Sequence, residues 1–242
     1  MIIAWVRLPH TEPVTTDMVL RYLSTRRRLV GERPGLLSLL YFVSDDGMSS
    51  GGAHVFRTRA QGEEFFDDEW WSGATRAFNL EPEIDWFDCP VIVDNKFGEV
   101  LAGSQGSQPV DDDARQLRSS WGPFDRAEQP QPIGDAGLCL GMVRFTPSTP
   151  SAEEMAQRLV EGSRMVNSSE GLIRSFFVSS PADRSAGAIH LWETPAQAAA
   201  YYDDSWRDRL QLAMGATPTV ELLSCPVAID FHNGEVLAGH LD

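Results

Sequence analysis

Short apolar runs of β-forming residues alternate along this chain with amphipathic stretches of helical period, and the whole series is written twice. IIAWVRL opens the first series and GLCLGMVRF the second. A Thr/Ser/Pro turn follows each, then a predicted helix, about Thr16 to Val30 and Ser151 to Val166. Ser151-Ala-Glu-Glu154 is a capping box, in which serine and glutamate satisfy orphan amides. Two predicted strands come next, LLSLLYFVS with GGAHVFRT and LIRSFFVSS with GAIHLWET, each pair joined by a Gly/Asp/Ser turn. Thr58-Arg-Ala-Gln61 and Thr194-Pro-Ala-Gln197 then open a second helix, and EIDWFDCPVIVD or TVELLSCPVAID closes each series as a strand.

The two series are copies. CPVIVDNKFGEVLAG at Cys89 to Gly103 returns as CPVAIDFHNGEVLAG at Cys225 to Gly239, an offset of 136 positions. The same offset places Thr58, Gln61, Asp67, Trp70 and His54 on Thr194, Gln197, Asp203, Trp206 and His190. Near the start it becomes 137 and pairs Val6-Arg7-Leu8 with Val143-Arg144-Phe145. The boundaries that follow are a first repeat over 1–101, a linker over 102–136 rich in Gly, Pro, Ser and Gln, and a second repeat over 137–242.

The order within each copy, βαββαβ, predicts an α+β fold of two tandem ferredoxin-like repeats. In LLSLLYFV and PVIVD apolar residues occupy both parities, so both sheet faces need cover. The expectation is that the repeats pack sheet to sheet, with helices outside and an aromatic chamber enclosed between them. The repeated GEVLAG tails are expected to strap one half to the other.

Composition narrows the function. The chain has 242 residues, 42% of them hydrophobic, enough to bury a sizeable core. A formal net charge of −15 argues against nucleic acid and anionic membranes as partners, and the basic run Arg26 to Arg28 reads as a solvated helix face. No apolar run is long enough to span a bilayer and the first residues lack a signal-peptide pattern, so a cytoplasmic location is expected. Cys89, Cys139 and Cys225 lack any Cys-x-x-Cys pairing and read as buried hydrophobes. The five histidines show neither HxH nor HExxH spacing, so no metal held by the protein is expected. GxSxG elbows, P-loops and GxGxxG after a strand are missing.

Candidate site residues come from the pattern. Along each second helix an inward stripe runs through Phe66, Trp70, Ala74 and Ala77, or Tyr202, Trp206, Leu210 and Ala213. Its aromatic members are core, or the walls of a slot for a flat ligand, with Tyr202 and neighbouring Tyr201 offering hydroxyls. On the preceding strand His54 shares a face with Phe56 and His190 with Trp192. A histidine repeated inside an apolar strand is a structural bridge or a general base. Arg7 and Arg144 are candidates to hold an anionic oxygen, or form salt bridges at the sheet edge. Asp67, Asp68, Asp203 and Asp204 read as solvent-facing. The second copy, more polar around its histidine, is expected to hold the working pocket.

GGAHVFRTRAQGEEFFDDEW with PEIDWFDCPVIVDN, and GAIHLWETPAQAAAYYDDSWRDRL with PTVELLSCPVAID, carry a resemblance. Each copy resembles the antibiotic biosynthesis monooxygenases and related small monooxygenase-like proteins of the dimeric α/β-barrel superfamily. The tandem form is similar to ring-opening oxygenases of angucycline-type polyketide pathways. The resemblance implies an intramolecular dimeric α/β barrel, monomeric because one chain mimics the homodimer. It implies oxygenation of a polycyclic phenol, hydroquinone or anthrone from a polyketide pathway, with O₂ and either no cofactor or a reduced flavin (FADH2 or FMNH2). His190, Tyr202 and His54 would be catalytic, and Trp192, Trp206, Tyr201, Phe56, Phe66, Trp70, Arg144 and Arg7 would bind substrate. Anthrone-type relatives carry an asparagine one turn before the helix tryptophan, where this chain has Phe66 and Tyr202. A non-oxidative cyclase or isomerase, a non-catalytic ligand-binding member and a haem protein are the alternatives.

Overall fold

The eight strand runs read from the sequence and the two GEVLAG tails form ten strands among the described residues, and alternation of side chains across them decides how they close. The computed structural model describes residues 1–24, 35–102, 137–147, 151–163, 166 and 169–238. The first half runs β1 (Ile2–Pro9), α1 (Thr16–Ser24), β2 (Leu36–Ser44), β3 (Ser49–Phe56), α2 (Arg59–Phe65), α3 (Asp68–Phe78), β4 (Glu83–Asp94) and β5 (Glu99–Ala102). The second runs β6 (Leu138–Phe145), α4 (Ala152–Ser163), β7 (Leu172–Ser179), β8 (Ala186–Trp192), α5 (Pro195–Tyr201), α6 (Asp204–Met214), β9 (Thr219–Asp230) and β10 (Glu235–Ala238). The expected linker lies outside the described residues from position 103 onward, as does the Arg26 to Arg28 run.

Two ferredoxin-like sheets packed face to face are not what forms. The structure is one closed antiparallel barrel of eight strands, in the order β1, β3, β2, β9, β6, β8, β7, β4 and back to β1, so the halves join edge to edge. The cause lies in the closing strands, β4 and β9, each 12 residues long. The first part of β4 pairs β1 and the rest crosses over to β7, and β9 likewise pairs first β6 and then β2. Their overhanging amides and carbonyls find partners on the other half, which removes the free edges. Sheet dominates, and the described helices are short.

Closure also explains the double-sided apolar pattern. One parity of each strand fills the barrel interior, where Ile3, Trp5, Phe42, Val55, Leu140, Met142, Phe176 and Ile189 form one cluster. The other parity faces the helices, as two outer clusters, each built mainly from one half and completed by the crossed-over end of the other half's closing strand, Val91 and Val93 of β4 or Val227 and Ile229 of β9. Trp5 stacks on Phe42 at 4.4 Å between ring centroids, so side chains occupy the space where an aromatic chamber was expected.

The GEVLAG tails fold back on their own halves, β5 on β4 and β10 on β9. The turns before them do the strapping. Asn95 Nδ2 donates to the Val166 and Leu172 carbonyls at 3.1 and 3.0 Å, while the Phe231 and His232 amides donate to the Leu37 carbonyl. Lys96 pairs with Glu235 across the two turns.

Candidate active site

Each predicted second helix is broken in two, and the break builds the site. Thr58 and Thr194 cap α2 and α5 as expected, accepting from the Gln61 and Gln197 amides. Asp67 and Asp203, read from sequence as solvent-facing, also cap α3 and α6 by accepting from the Trp70 and Trp206 amides at 2.8 and 2.7 Å; Asp203 is exposed and Asp67 half-buried. Phe66 and Tyr202 sit at the junction, each N–H still bonded to the preceding turn, with ψ of 55° and 42°. That backbone drives both rings against the barrel wall, beneath the helices.

His54 and His190 stand on the outer face of β3 and β8, fully enclosed. Their environments have diverged. His190 Nδ1 lies 2.7 Å from the Tyr202 hydroxyl, and Trp192 Nε1 lies 3.3 Å from the same oxygen. Indole N–H can only donate, so the Tyr202 oxygen accepts from Trp192; with the tyrosine O–H given to His190 Nδ1, this imidazole carries its proton on Nε2, which is buried with no hydrogen-bond partner among the described residues. Gly141, paired with His190 across β6 and β8, makes room: a Cβ there would stand 2.2 Å from the Tyr202 hydroxyl oxygen. The first half has Ala4 and Phe66 at the matching positions, a methyl in place of a hydroxyl.

His54 has the opposite tautomer. Its Nδ1 lies 3.3 Å from the Gly52 carbonyl, which can only accept, so the proton sits on Nδ1 and Nε2 keeps its lone pair. Nε2 is buried and has no hydrogen-bond partner among the described residues. Burial pushes the His54 pKa down to about 4, against the raising effect of the Gly52 and Ala4 carbonyls, so the ring is neutral at pH 7. Burial alone takes His190 down to about 3 and also pushes the Tyr202 hydroxyl far up.

A cleft opens beside His54. Val6, Tyr22, Tyr41, Gly52, Trp70 and Ala74 are among its walls, with Ser50 and Phe78 at the end away from the histidine. Only about 30 Å³ of it is wide enough for solvent, room for one or two water molecules. In the second half Ala188 replaces Gly52, Leu210 replaces Ala74 and Phe177 replaces Tyr41, and these larger or less polar groups pack into the outer core. Among the described residues the cleft beside a histidine is that of the first half, whereas the sequence pointed to the second.

The remaining sequence candidates divide in two. Phe56, Phe66 and Trp70 surround the His54 side, with Phe66 edge-on to His54 at 5.2 Å and to Trp70 at 4.6 Å. Trp192, Tyr201 and Trp206 surround the Tyr202 side at 4.9 to 5.9 Å. Arg7 and Arg144 stand on the interior parity of β1 and β6, the face opposite both histidines. Arg144 there lies 3.6 Å from Asp85, an ion pair between halves. Among the described residues no cluster of His, Cys, Asp and Glu is placed to hold a metal ion.

Sequence reading missed one charged group. Arg174, buried in the barrel end, bonds Asp94 through Nε at 3.0 Å and Asp230 through Nη2 at 2.7 Å. Asp94 and Asp230 are equivalent positions of the two copies, and the repeated Asp of PVIVD and PVAID was the available signal. The copy of Arg174 is Ser38, so one guanidinium serves both carboxylates.

No family model matches this chain and no curated protein matches it. Solved structures share its fold, three of them as follows. A candidate monooxygenase from Lactobacillus acidophilus aligns with a TM-score of 0.60 at 9% identity, over 98% of this chain and 99% of that one. A candidate monooxygenase from Fusobacterium nucleatum gives 0.60 at 8% identity, over 99% and 98%. An anthrone oxidase-like protein gives 0.55 at 10% identity, over 99% and 96%.

Proposed function

We propose that the protein is an oxygenase acting on a phenolic polycyclic aromatic in the first-half slot, with His54 as the base. The supporting observation is the His54 tautomer: an unprotonated, otherwise unpartnered Nε2 set beside an aromatic-walled cleft. The kinship of fold with candidate monooxygenases and an anthrone oxidase-like protein agrees with this reading.

The chemistry follows from the placement. Nε2 takes the proton of a phenol or of an acidic ring CH₂, and the electron-rich anion that results is the reductant for O₂. For an anthrone-type CH₂ the balance closes without another electron donor. One oxygen atom replaces the two hydrogens as a carbonyl, and the other leaves with those hydrogens as water. Tyr41 and Trp70 wall the cleft and hold the rings flat, with Phe66 packed against both His54 and Trp70 to exclude solvent. Among the described residues lining the cleft none is cationic. A tricyclic substrate exceeds the resting slot, so this reading requires the cleft walls to part on binding.

The test is incubation of the protein with anthrone or a polycyclic hydroquinone under isotopically labelled dioxygen. Mass spectrometry is expected to find one labelled atom in the product and uptake that does not require added reduced flavin. Turnover without any label would assign the protein to non-oxidative chemistry instead.

A further inference from the structure

The slot has a second polar end that the base does not use. Ser50 lies on the same face of β3 as His54, four residues away, about 13 Å along the strand. Its hydroxyl is buried and lies 2.7 Å from His10 Nε2, and His10 is held in turn by its backbone N–H to the Met48 carbonyl and edge-on against Phe78 at 5.6 Å. Ser50 and Phe78 line the same cleft as His54.

Gly52 lies between the two ends on that face. A Cβ at this position would come within 3.2 Å of Tyr41, His54 and the Leu40 carbonyl, so glycine keeps the floor of the slot low. The second copy has none of these features. Ser50 becomes Ala186, Gly52 becomes Ala188, and Thr146 and Pro147 occupy the region of His10. The dyad and the cleared floor thus occur together, beside the first-half cleft.

We infer that the His10–Ser50 dyad is a second anchor for the substrate, which is an elongated, flat aromatic carrying oxygen at both ends. One oxygen meets His54 Nε2. The other donates its O–H to Ser50, whose own O–H is directed to His10 Nε2. Gly52, Tyr41 and Trp70 bracket the rings between them. This rests on the proposed aromatic slot, which it deepens by fixing the substrate's length and polarity.

Binding of two anthracene probes separates the claims: one hydroxylated on a single terminal ring, the other hydroxylated at both far ends. Fluorescence titration is expected to show the doubly hydroxylated probe binding about five- to tenfold tighter, the worth of one added hydrogen bond. Ser50→Ala should erase that preference while leaving the singly hydroxylated probe's affinity unchanged, and His10→Phe should do the same if Ser50→Ala perturbs folding. Equal binding of the two probes, or equal loss for both in Ser50→Ala, overturns the second anchor and leaves the slot standing. If neither probe binds, the aromatic slot fails, and the anchor fails with it.

Discussion

At the residue scale, the repeat hides a small exchange with large consequences. Tyr202 with Gly141 in one copy answers Phe66 with Ala4 in the other, and one oxygen atom is traded for one methyl. Gly141→Ala is expected to destabilise the fold by about 1–3 kcal/mol through that clash. Tyr202→Phe is expected to cost about 2 kcal/mol by leaving the Trp192 N–H and His190 Nδ1 buried without partners. The double variant rebuilds the first copy's pair and should be more stable than the sum of the two losses, as read by denaturant unfolding. The histidines also set an acid limit. Between the ordinary 6.5 and the folded value of about 4, the unfolded chain holds the His54 proton and the native chain does not, so stability rises with pH in that window. Unfolding free energy is expected to fall on acidification below pH 6.5, His54 and His190 each contributing up to about 1.4 kcal/mol per pH unit. His54→Gln should make the decline shallower.

At the element scale, strands were more legible than helices. β2, β4 and β9 lie where their apolar runs placed them, because a run of β-branched and aromatic residues bounded by turns has few other readings. The helix breaks were not visible, since Thr58-to-Gln61 and Asp67-to-Trp70 are two start signals in succession and periodicity alone runs straight through them. Missing the break also missed the capping role of Asp67 and Asp203, and it shifted the inward stripe, whose last members are Phe78 and Met214 while Ala77 and Ala213 are exposed. The stripe nevertheless contains the difference between the halves: Ala74 borders the cleft and Leu210 fills the same position. Ala74→Leu is expected to close the slot, raising KM for an aromatic substrate at least tenfold while thermal stability stays equal or improves. An unchanged KM would place substrate elsewhere.

At the scale of the whole molecule, the repeat and its double-sided greasiness were legible, but not the way the halves join. Apolar residues on both parities are equally consistent with stacked sheets and with a closed barrel. Pairing between chain-distant edges leaves no local mark apart from the length of β4 and β9. The same holds for the Arg174 cluster, assembled from strands of both halves at the barrel end. Arg174→Met would strand two buried carboxylates and is expected to cost about 3–5 kcal/mol, measured by denaturant unfolding. Because β2–β9 and β4–β7 pairing already closes the barrel, the chain is expected to run as a monomer in light scattering, against the dimer that an open edge would favour. The divergence of the two slots is the central functional claim, and oxygen consumption by His54→Gln and His190→Gln, side by side on one anthrone or hydroquinone substrate, tests it most directly. The expected result is a fall in kcat of about 100-fold or more for His54→Gln, the usual worth of a positioned base, with kcat kept within about threefold in folded His190→Gln. Loss in His190→Gln with turnover intact in His54→Gln would contradict it.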